Sequence, residues 1–383
     1  MAEPLLQIDN LVVTTTGKSP RRLVDSVSLS LKQGEVLGLI GESGAGKSTI
    51  GLAIPGHCRA GMRIESGRIM FNGTELTGLS TRRLRAVRGR HIAYVAQSAG
   101  ASFNPAICIG DQVIEATIKH RILTREQARL RAMELFTRLG LPDPSGFYQR
   151  YPHQVSGGQL QRAMIAMALC PGPELVIFDE PTTALDVTTQ LGVLQAISEV
   201  IRTSGVAAIY ISHDLAVVAQ ISDRIMVLQH GKMVEEAATE HLLENPTKQY
   251  THQLLSAQGE GKRPLPADQP ELLGISSVYA GYHHQPVLKN INLSLQKGRT
   301  LAIIGESGSG KSTLGKVICG LHPNDKGDVL LEGQLLGRGL RSRPLRQLQD
   351  IQLIHQIPDT SLNPQQSVGE QIARPLECFT SLD

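Results

Sequence analysis

The chain has 383 residues, with 38 Lys and Arg against 35 Asp and Glu, 41% hydrophobic residues, 3% aromatic residues and no Trp. That length accommodates two or three domains with cores of their own, and the composition excludes wholesale disorder. A formal charge of +3, with so few stacking side chains, speaks against a base-stacking groove and predicts no nucleic-acid partner. The five cysteines (Cys58, Cys108, Cys170, Cys319 and Cys378) form no CxxC pair, which speaks against a zinc or iron–sulfur site and fits a reducing cytosol. No apolar run approaches the ~18 residues that span a bilayer. With Glu3 and Asp9 spoiling a secretory signal, the sequence reads as a soluble cytosolic chain that can still sit on a membrane partner.

In chain order, Val36–Ile40 is an apolar run that predicts a buried strand entering a glycine-rich turn, followed by a helix over Lys47–Ala53. The basic run Arg82–Arg90 reads as a solvated helix face, with a phosphate or membrane surface as the alternative. The stretch from about 100 to 170 is mostly helical and reads as a subdomain, with Arg125–Leu139 ended by Gly140 and Pro142. Glu174–Phe178 and Val206–Ile211 predict further buried strands. Ile225–Leu228 and Lys232–Glu235 flank His230-Gly231, a hairpin signal. Strands alternating with helices imply a largely parallel sheet in an α/β core. Residues 258–270, rich in Gly, Pro and charge, read as an exposed linker. Beyond it, Thr300–Ile304 predicts a strand, Lys311–Cys319 a helix, and Arg338–Arg346 a second solvated basic run.

The chain repeats itself. Ser26–Thr49 and Asn290–Thr313 align without a gap, and Gln97 with Ser102-Phe103-Asn104-Pro105 matches Gln356 with Ser361-Leu362-Asn363-Pro364. The period is far too long for a solenoid, so the sequence predicts a domain duplicated in tandem, one copy over 5–257 and an incomplete copy over 271–383. The residues beyond roughly Phe147 in the first copy have no counterpart in the second.

Both copies carry G-x-x-x-x-G-K-[ST]: Gly41, Glu42, Ser43, Gly44, Ala45, Gly46, Lys47, Ser48 and Thr49, then Gly305, Glu306, Ser307, Gly308, Ser309, Gly310, Lys311, Ser312 and Thr313. The glycines let the backbone curl so that N–H groups point at phosphate oxygens, helped by the helix N-terminus. Lys47 and Lys311 reach the β/γ-phosphates, and Ser48 and Ser312 place a hydroxyl on Mg²⁺. Asp179 and Glu180 end an apolar strand, Asp179 placed to hold Mg²⁺ through water and Glu180 to polarise an attacking water. Taken alone they are also readable as solvated acids at a strand end. Ser156, Gly157, Gly158 and Gln159 open a helix, either as a second anion site or as an N-cap with a flexible turn.

The two P-loops, Val155–Gln159, Asp179-Glu180-Pro181, Ala184-Leu185-Asp186 and Ser212-His213-Asp214 occur in an order that resembles ABC-transporter ATP-binding subunits. The resemblance covers nearly all of 5–257 and about 271–377. It implies a P-loop NTPase core of ABC type with a helical subdomain, ATP and Mg²⁺ as ligands, and ATP hydrolysis. It further implies that Gln97, and Gln356 in the second copy, are the loop glutamines that sense Mg²⁺ and face the membrane subunit. By the same resemblance His213 is the switch histidine at the γ-phosphate, which without that context reads as an ordinary capping or core histidine. Val155–Gln159 is then the signature that clamps nucleotide held by the facing domain.

Ser102–Pro105, Ser361–Pro364, Tyr151-Pro152-His153-Gln154 and the tail Asn245–Leu255 resemble the oligopeptide/dipeptide import branch, which also handles nickel and glutathione. Family members stack adenine on an aromatic residue ahead of the P-loop. Tyr282 fits that place in the second copy, whereas the first offers Thr14, Thr15 and Thr16. The implied protein is a peripheral subunit on the cytoplasmic face of a bacterial inner membrane. Its partners would be integral-membrane permease subunits, indirectly an extracytoplasmic solute-binding protein, and a second ATP-binding subunit or a second copy of itself. The rivals are a soluble ABC ATPase of translation or DNA repair and a nucleotide-binding remnant without transport activity.

Overall fold

The computed structural model describes residues 3–17, 19–182, 187–256, 269–283, 285–305, 308–355 and 362–379. Cα packing divides it into two compact units, Met1–Gly261 and Lys262–Asp383. Most of the expected linker, residues 258–268, lies outside the described residues.

Unit one opens with β1 (Leu6–Thr15), β2 (Arg22–Leu31), β3 (Val36–Ile40), α1 (Lys47–Ala53), β4 (Met62–Phe71), β5 (Thr74–Glu75), α2 (Thr81–Val87) and β6 (Ile92–Val95). A helical stretch comes next: α3 (Ala99–Ser102), α4 (Ile109–Lys119), α5 (Arg125–Arg138), α6 (Pro144–Gln149) and α7 (Gly157–Leu169). The chain then returns through β7 (Leu175–Asp179), α8 (Val187–Ser204), β8 (Ala207–Ile211), α9 (Leu215–Ala219), β9 (Arg224–Gln229) and β10 (Lys232–Ala238) to α10 (Thr239–Glu244) and α11 (Gln249–Ser256).

One sheet has the order β10-β9-β3-β8-β7-β6, parallel from β9 to β6 with β10 antiparallel at its edge. The other, β2-β1-β4-β5, is antiparallel. All five residues of β3 are buried, as a parallel strand covered on both faces requires. Its side chains alternate: Val36 and Ile40 join the core shared with the helical stretch, while Leu37 and Leu39 face the core under the antiparallel sheet. Gly38 admits α9 against the strand, since a Cβ there would lie 2.2 Å from Val218 Cγ1. His230 and Gly231, both at positive φ, close the expected hairpin between β9 and β10.

Unit two contains β11 (Glu271–Tyr282), β12 (Gln285–Gln296), α12 (Lys311–Ile318), β13 (Lys326–Leu331), β14 (Gln334–Leu335), α13 (Leu345–Asp350) and α14 (Val368–Phe379). Its sheet has the order β12-β11-β13-β14, again antiparallel. The strand expected at Thr300–Ile304 does not form. In unit one β3 is paired on both sides, to β8 and β9. The described residues of unit two offer 300–305 no such partner, so Ile304 is 91% exposed where Ile40 is 1% exposed.

The basic runs also differ from a purely solvated face. Arg88 donates to the carbonyls of Pro55 and Gly56, and buried Arg343 donates to those of Gly337, Val317 and Ile318. Each arginine satisfies backbone acceptors near the end of the helix that leaves a P-loop.

The end of unit one is pinned by one carboxylate. β10 shifts register against β9 between Met233 and Glu235, and Glu235 is its single buried residue. Its oxygens accept from Thr247 N and Oγ1 (2.8 Å each), Lys248 N (3.2 Å) and Thr251 Oγ1 (2.6 Å). Burial alone would raise its pKa, but these hydrogen bonds prevail and hold it at about 2 against an ordinary 4.5. A depressed folded-state pKa contributes stability above the ordinary value that is lost as pH falls toward the folded one. The gap in urea midpoint between the parent and Glu235→Gln should therefore stay constant above about pH 5 and shrink as pH falls from 4.5 toward 2. A gap that does not move across that window would contradict the assignment.

Candidate functional site

The first P-loop joins β3 to α1 through three glycines in the left-handed half of φ space: Gly41 at 150°, Gly44 at 85° and Gly46 at 96°. A Cβ on Gly41 would lie 2.1 Å from the carbonyl oxygen of Leu228 on β9, and one on Gly46 would lie 2.7 Å from that of Leu23 on β2. The loop is thus hemmed between the two sheets. Ala45 accepts a bond from Gly231 N, and the backbone N of Glu42 donates to the Tyr250 hydroxyl at 3.1 Å. No side chain caps α1, so its first N–H groups face the loop's hollow as donors for an anion. Lys47 is buried, and its ammonium donates to the loop carbonyls of Gly41 (2.7 Å) and Glu42 (3.0 Å). Burial lowers its pKa, while the carboxylates of Glu180 and Asp179 pull the other way.

Asp179, at the end of β7, accepts from Ser48 Oγ at 2.7 Å on one oxygen and from the Tyr94 hydroxyl on the other. Burial, and then the Asp179 carboxylate, raise the Tyr94 pKa, so that phenol stays a donor. Glu180 sits at φ 47° with its N–H bonded to Ile211 O at 2.9 Å. Its carboxylate is approached by Gln97 Nε2 at 3.3 Å and His213 Nδ1 at 3.3 Å. These residues come from the loop after β3, the ends of β6 and β7, and the turn after β8, all at the carboxyl ends of adjacent parallel strands. In open α/β sheets that edge is where ligands bind.

A hydroxyl and a carboxylate already in contact are hard oxygen donors, and Mg²⁺ takes a few of these with water and phosphate completing its shell. Among the described residues no group of three or more His, Cys, Asp or Glu could hold a metal by itself. Ser48 and Asp179 therefore fit a cation that arrives with a polyphosphate. Gln97 is set beside Glu180 in this arrangement.

Ser156 to Gln159 stand apart at the start of α7. Ser156 Oγ accepts from Gln159 N and Gln159 Oε1 from Ser156 N, a closed capping box. Gly157 has open space where a Cβ would go. In unit two, Gly305, Gly308 and Gly310 take φ of 155°, 88° and 96°, nearly those of the first loop, and Lys311 Nζ donates to Gly305 O at 2.6 Å. The wall differs: among the described residues a Cβ on Gly305 would meet Ser309 Oγ at 3.0 Å and no backbone. Ser312 is exposed and Thr313 buried at the start of α12. Tyr282 is half exposed and stacks on His322 at 4.3 Å between centroids. Thr14 is buried, and Thr15 Oγ1 accepts from Arg21 N. Glu306, Ser307, Gln356, Ser361, Ala184, Leu185 and Asp186 lie outside the described residues. Sequence reasoning missed Tyr94 and Tyr250; a hydroxyl inside the apolar run Ile92–Val95 was the one hint for Tyr94.

Residues 24–183 and 288–381 match the ABC transporter family. The chain is 38% identical over 391 residues to the ABC transporter ATP-binding protein YejF of Escherichia coli (strain K12), covering 98% of this chain and 74% of that one. It is 36% identical to the peptidoglycan transport ATP-binding protein YejF of Agrobacterium fabrum (strain C58 / ATCC 33970), covering 98% and 71%. It is also 36% identical to the glutathione import ATP-binding protein GsiA of Salmonella choleraesuis (strain SC-B67), covering 92% and 64%. Among solved structures, the dimeric ATP-binding cassette MJ0796 bound to ADP and Pi is similar at a TM-score of 0.55 and 26% identity, covering 61% of this chain and 98% of that one.

The hemmed loop makes a direct prediction. Gly41→Ala must move the Leu228 carbonyl and hold alanine at φ 150°, so it should destabilise unit one by roughly 2 kcal/mol or more. Gly44→Ala meets no atom within 4 Å and carries the strain of its positive φ alone, so it should cost less. Urea unfolding of both variants checks the order.

Proposed function

Since the chain belongs to the ABC transporter family of ATP-binding proteins and is an ATPase of that family, we propose that it powers import of peptides or of peptide-containing compounds such as glutathione. It docks on integral-membrane permease subunits at the cytoplasmic face of a bacterial inner membrane, and a solute-binding protein feeds the permease from the other side. Among the described residues no helix is long and apolar enough to cross a membrane, so attachment runs through the permease. The surface around Gln97–Pro105 is the docking face, next to a groove lined by Ile107, Ile114 and Ile118. The relatives' names support the substrate class.

One observation carries the catalytic reading: Ser48, Asp179, Glu180, Gln97 and His213 converge at the carboxyl edge of the parallel sheet, beside the P-loop. Lys47 exchanges its loop carbonyls for the β/γ-phosphates of ATP. Ser48 and Asp179 would hold Mg²⁺, which when bound would supply charge neutralisation to the phosphates. Glu180 orients the attacking water, with Gln97 and His213 fixing its carboxylate from either side. In the second P-loop Gly305 to Thr313 bind nucleotide in the same manner, with Tyr282 as the surface for adenine.

The signature needs a facing site. Gly157 is the first residue of α7, and among the described residues nothing lies within 4 Å of where its Cβ would be. That leaves room for close approach by nucleotide held on another cassette. The site at Gly41–Thr49 closes against a signature presented by a facing cassette, that of a second copy or of another ATP-binding subunit.

Two measurements test this reading. Lys47→Ala should lose nucleotide affinity, whereas Glu180→Gln should bind ATP and turn it over at most one-hundredth as fast, since the base contributes about 10²–10⁴-fold. Parental turnover by Glu180→Gln would remove its assigned role. Specific ATPase activity should rise with protein concentration, or appear on adding a partner subunit. Constant, high activity at concentrations where light scattering detects monomer alone would refute the facing-site requirement.

A further inference from the structure

The tail Asn245–Leu255 marks a branch in the sequence, but the catalytic reading gives it no task. It lies against the nucleotide site. Tyr250, on α11, is buried in the core shared with the helical stretch, and its hydroxyl accepts the backbone N–H of Glu42, the second residue of the P-loop. The helix is also held by Glu235, whose carboxylate takes the N–H groups of Thr247 and Lys248, just ahead of α11, and the hydroxyls of Thr247 and Thr251. Negative charge at a helix N-terminus is favourable, which fixes α11 on β10. β10 pairs with β9, and β9 lends the Leu228 carbonyl that walls Gly41. The P-loop is thus held by β9 on one side and by the tail on another.

We propose that Tyr250 is a positioning residue for nucleotide binding: through Glu42 it holds the P-loop in its curled form, and the tail thereby sets the affinity of the first cassette for nucleotide. The physical argument is one of population. A ligand that binds the curled loop pays for every excursion from it, so its apparent Kd is the intrinsic Kd divided by the fraction curled. Removing the hydroxyl leaves the Glu42 N–H without this acceptor and lowers that fraction. Phenylalanine keeps the ring and its packing, so Tyr250→Phe isolates the bond.

The inference rests on the P-loop being the nucleotide site, and the test separates the two. The full chain is titrated with fluorescent mant-ADP, and hydrogen exchange is followed across residues 41–48, for the parent, Tyr250→Phe, Thr251→Val and Lys47→Ala. Tyr250→Phe should raise Kd measurably, by up to about three- to tenfold, the full range of one ordinary hydrogen bond, and speed exchange at the Glu42 amide while β3 stays protected. Thr251→Val, which removes one of the bonds to Glu235, should shift both readouts the same way by less. If Lys47→Ala weakens binding but Tyr250→Phe leaves both Kd and Glu42 exchange unchanged, Tyr250 is a packing residue and the inference falls alone. If Lys47→Ala binds mant-ADP like the parent, the nucleotide-site reading falls and takes the inference with it.

Discussion

A parallel strand in the middle of a sheet has no backbone donor or acceptor to spare, and β3 shows what that demands. It needs β8 on one side and β9 on the other before its five apolar residues can be buried and its end fixed in space. Everything that does chemistry is hung from that arrangement. The P-loop leaves β3 under the Leu228 carbonyl, Asp179 and Glu180 leave β7, and His213 comes just after β8. Pairing in register sets these groups side by side, as Asp179 stands opposite Ile211 and Glu180 N bonds to the same residue's carbonyl.

The two P-loops separate what a loop's own sequence determines from what its surroundings determine. The glycine φ values agree within a few degrees between them, and each lysine turns back to the first glycine's carbonyl. Curling is therefore local, a property of where glycine is placed. Rigidity is not. The first loop meets the backbone carbonyls of Leu228 and Leu23 and the Tyr250 hydroxyl, whereas among the described residues a Cβ on Gly305 would meet a serine side chain and one on Gly310 the side chains of Leu288 and Val287. Preorganisation, which decides how much binding energy is lost in ordering the site, resides in the strands around the motif.

That division also explains which features are legible in the sequence. Val36–Ile40 and Lys47–Ala53 are legible to the residue because glycine punctuates them and their periodicity is clean. Glu174–Phe178 reads one residue early, since the strand's end is fixed by pairing of Asp179 with Ile211 and not by hydrophobicity. Thr300–Ile304 has the same apolar pattern as β3 and still forms no strand, because a strand is a property of pairs. The acids and His213 stand out through an ordered set of short motifs. Tyr94 and Tyr250 do not, because their partners lie 85 and 208 residues away and no spacing rule joins them.

The charge of the site gives the assembly its direction. Two carboxylates, Asp179 and Glu180, stand beside a hollow built for a polyanion, and Coulomb repulsion alone would make that hollow a poor one. The opposing terms are the α1 N-terminus and the buried ammonium of Lys47, to which a divalent cation would add if Ser48 and Asp179 hold one as proposed. The balance is close by construction, because Lys47 is itself partly desolvated and its charge is sustained by the same two acids. On the proposed reading, a site so balanced would gain hold on a nucleotide from further N–H donors on a facing helix. The capping box at Ser156–Gln159 presents such a helix end on the surface, with Gly157 open to close approach. On that same reading, nucleotide affinity and cassette pairing would be one equilibrium, with the charge of Asp179 and Glu180 opposing it.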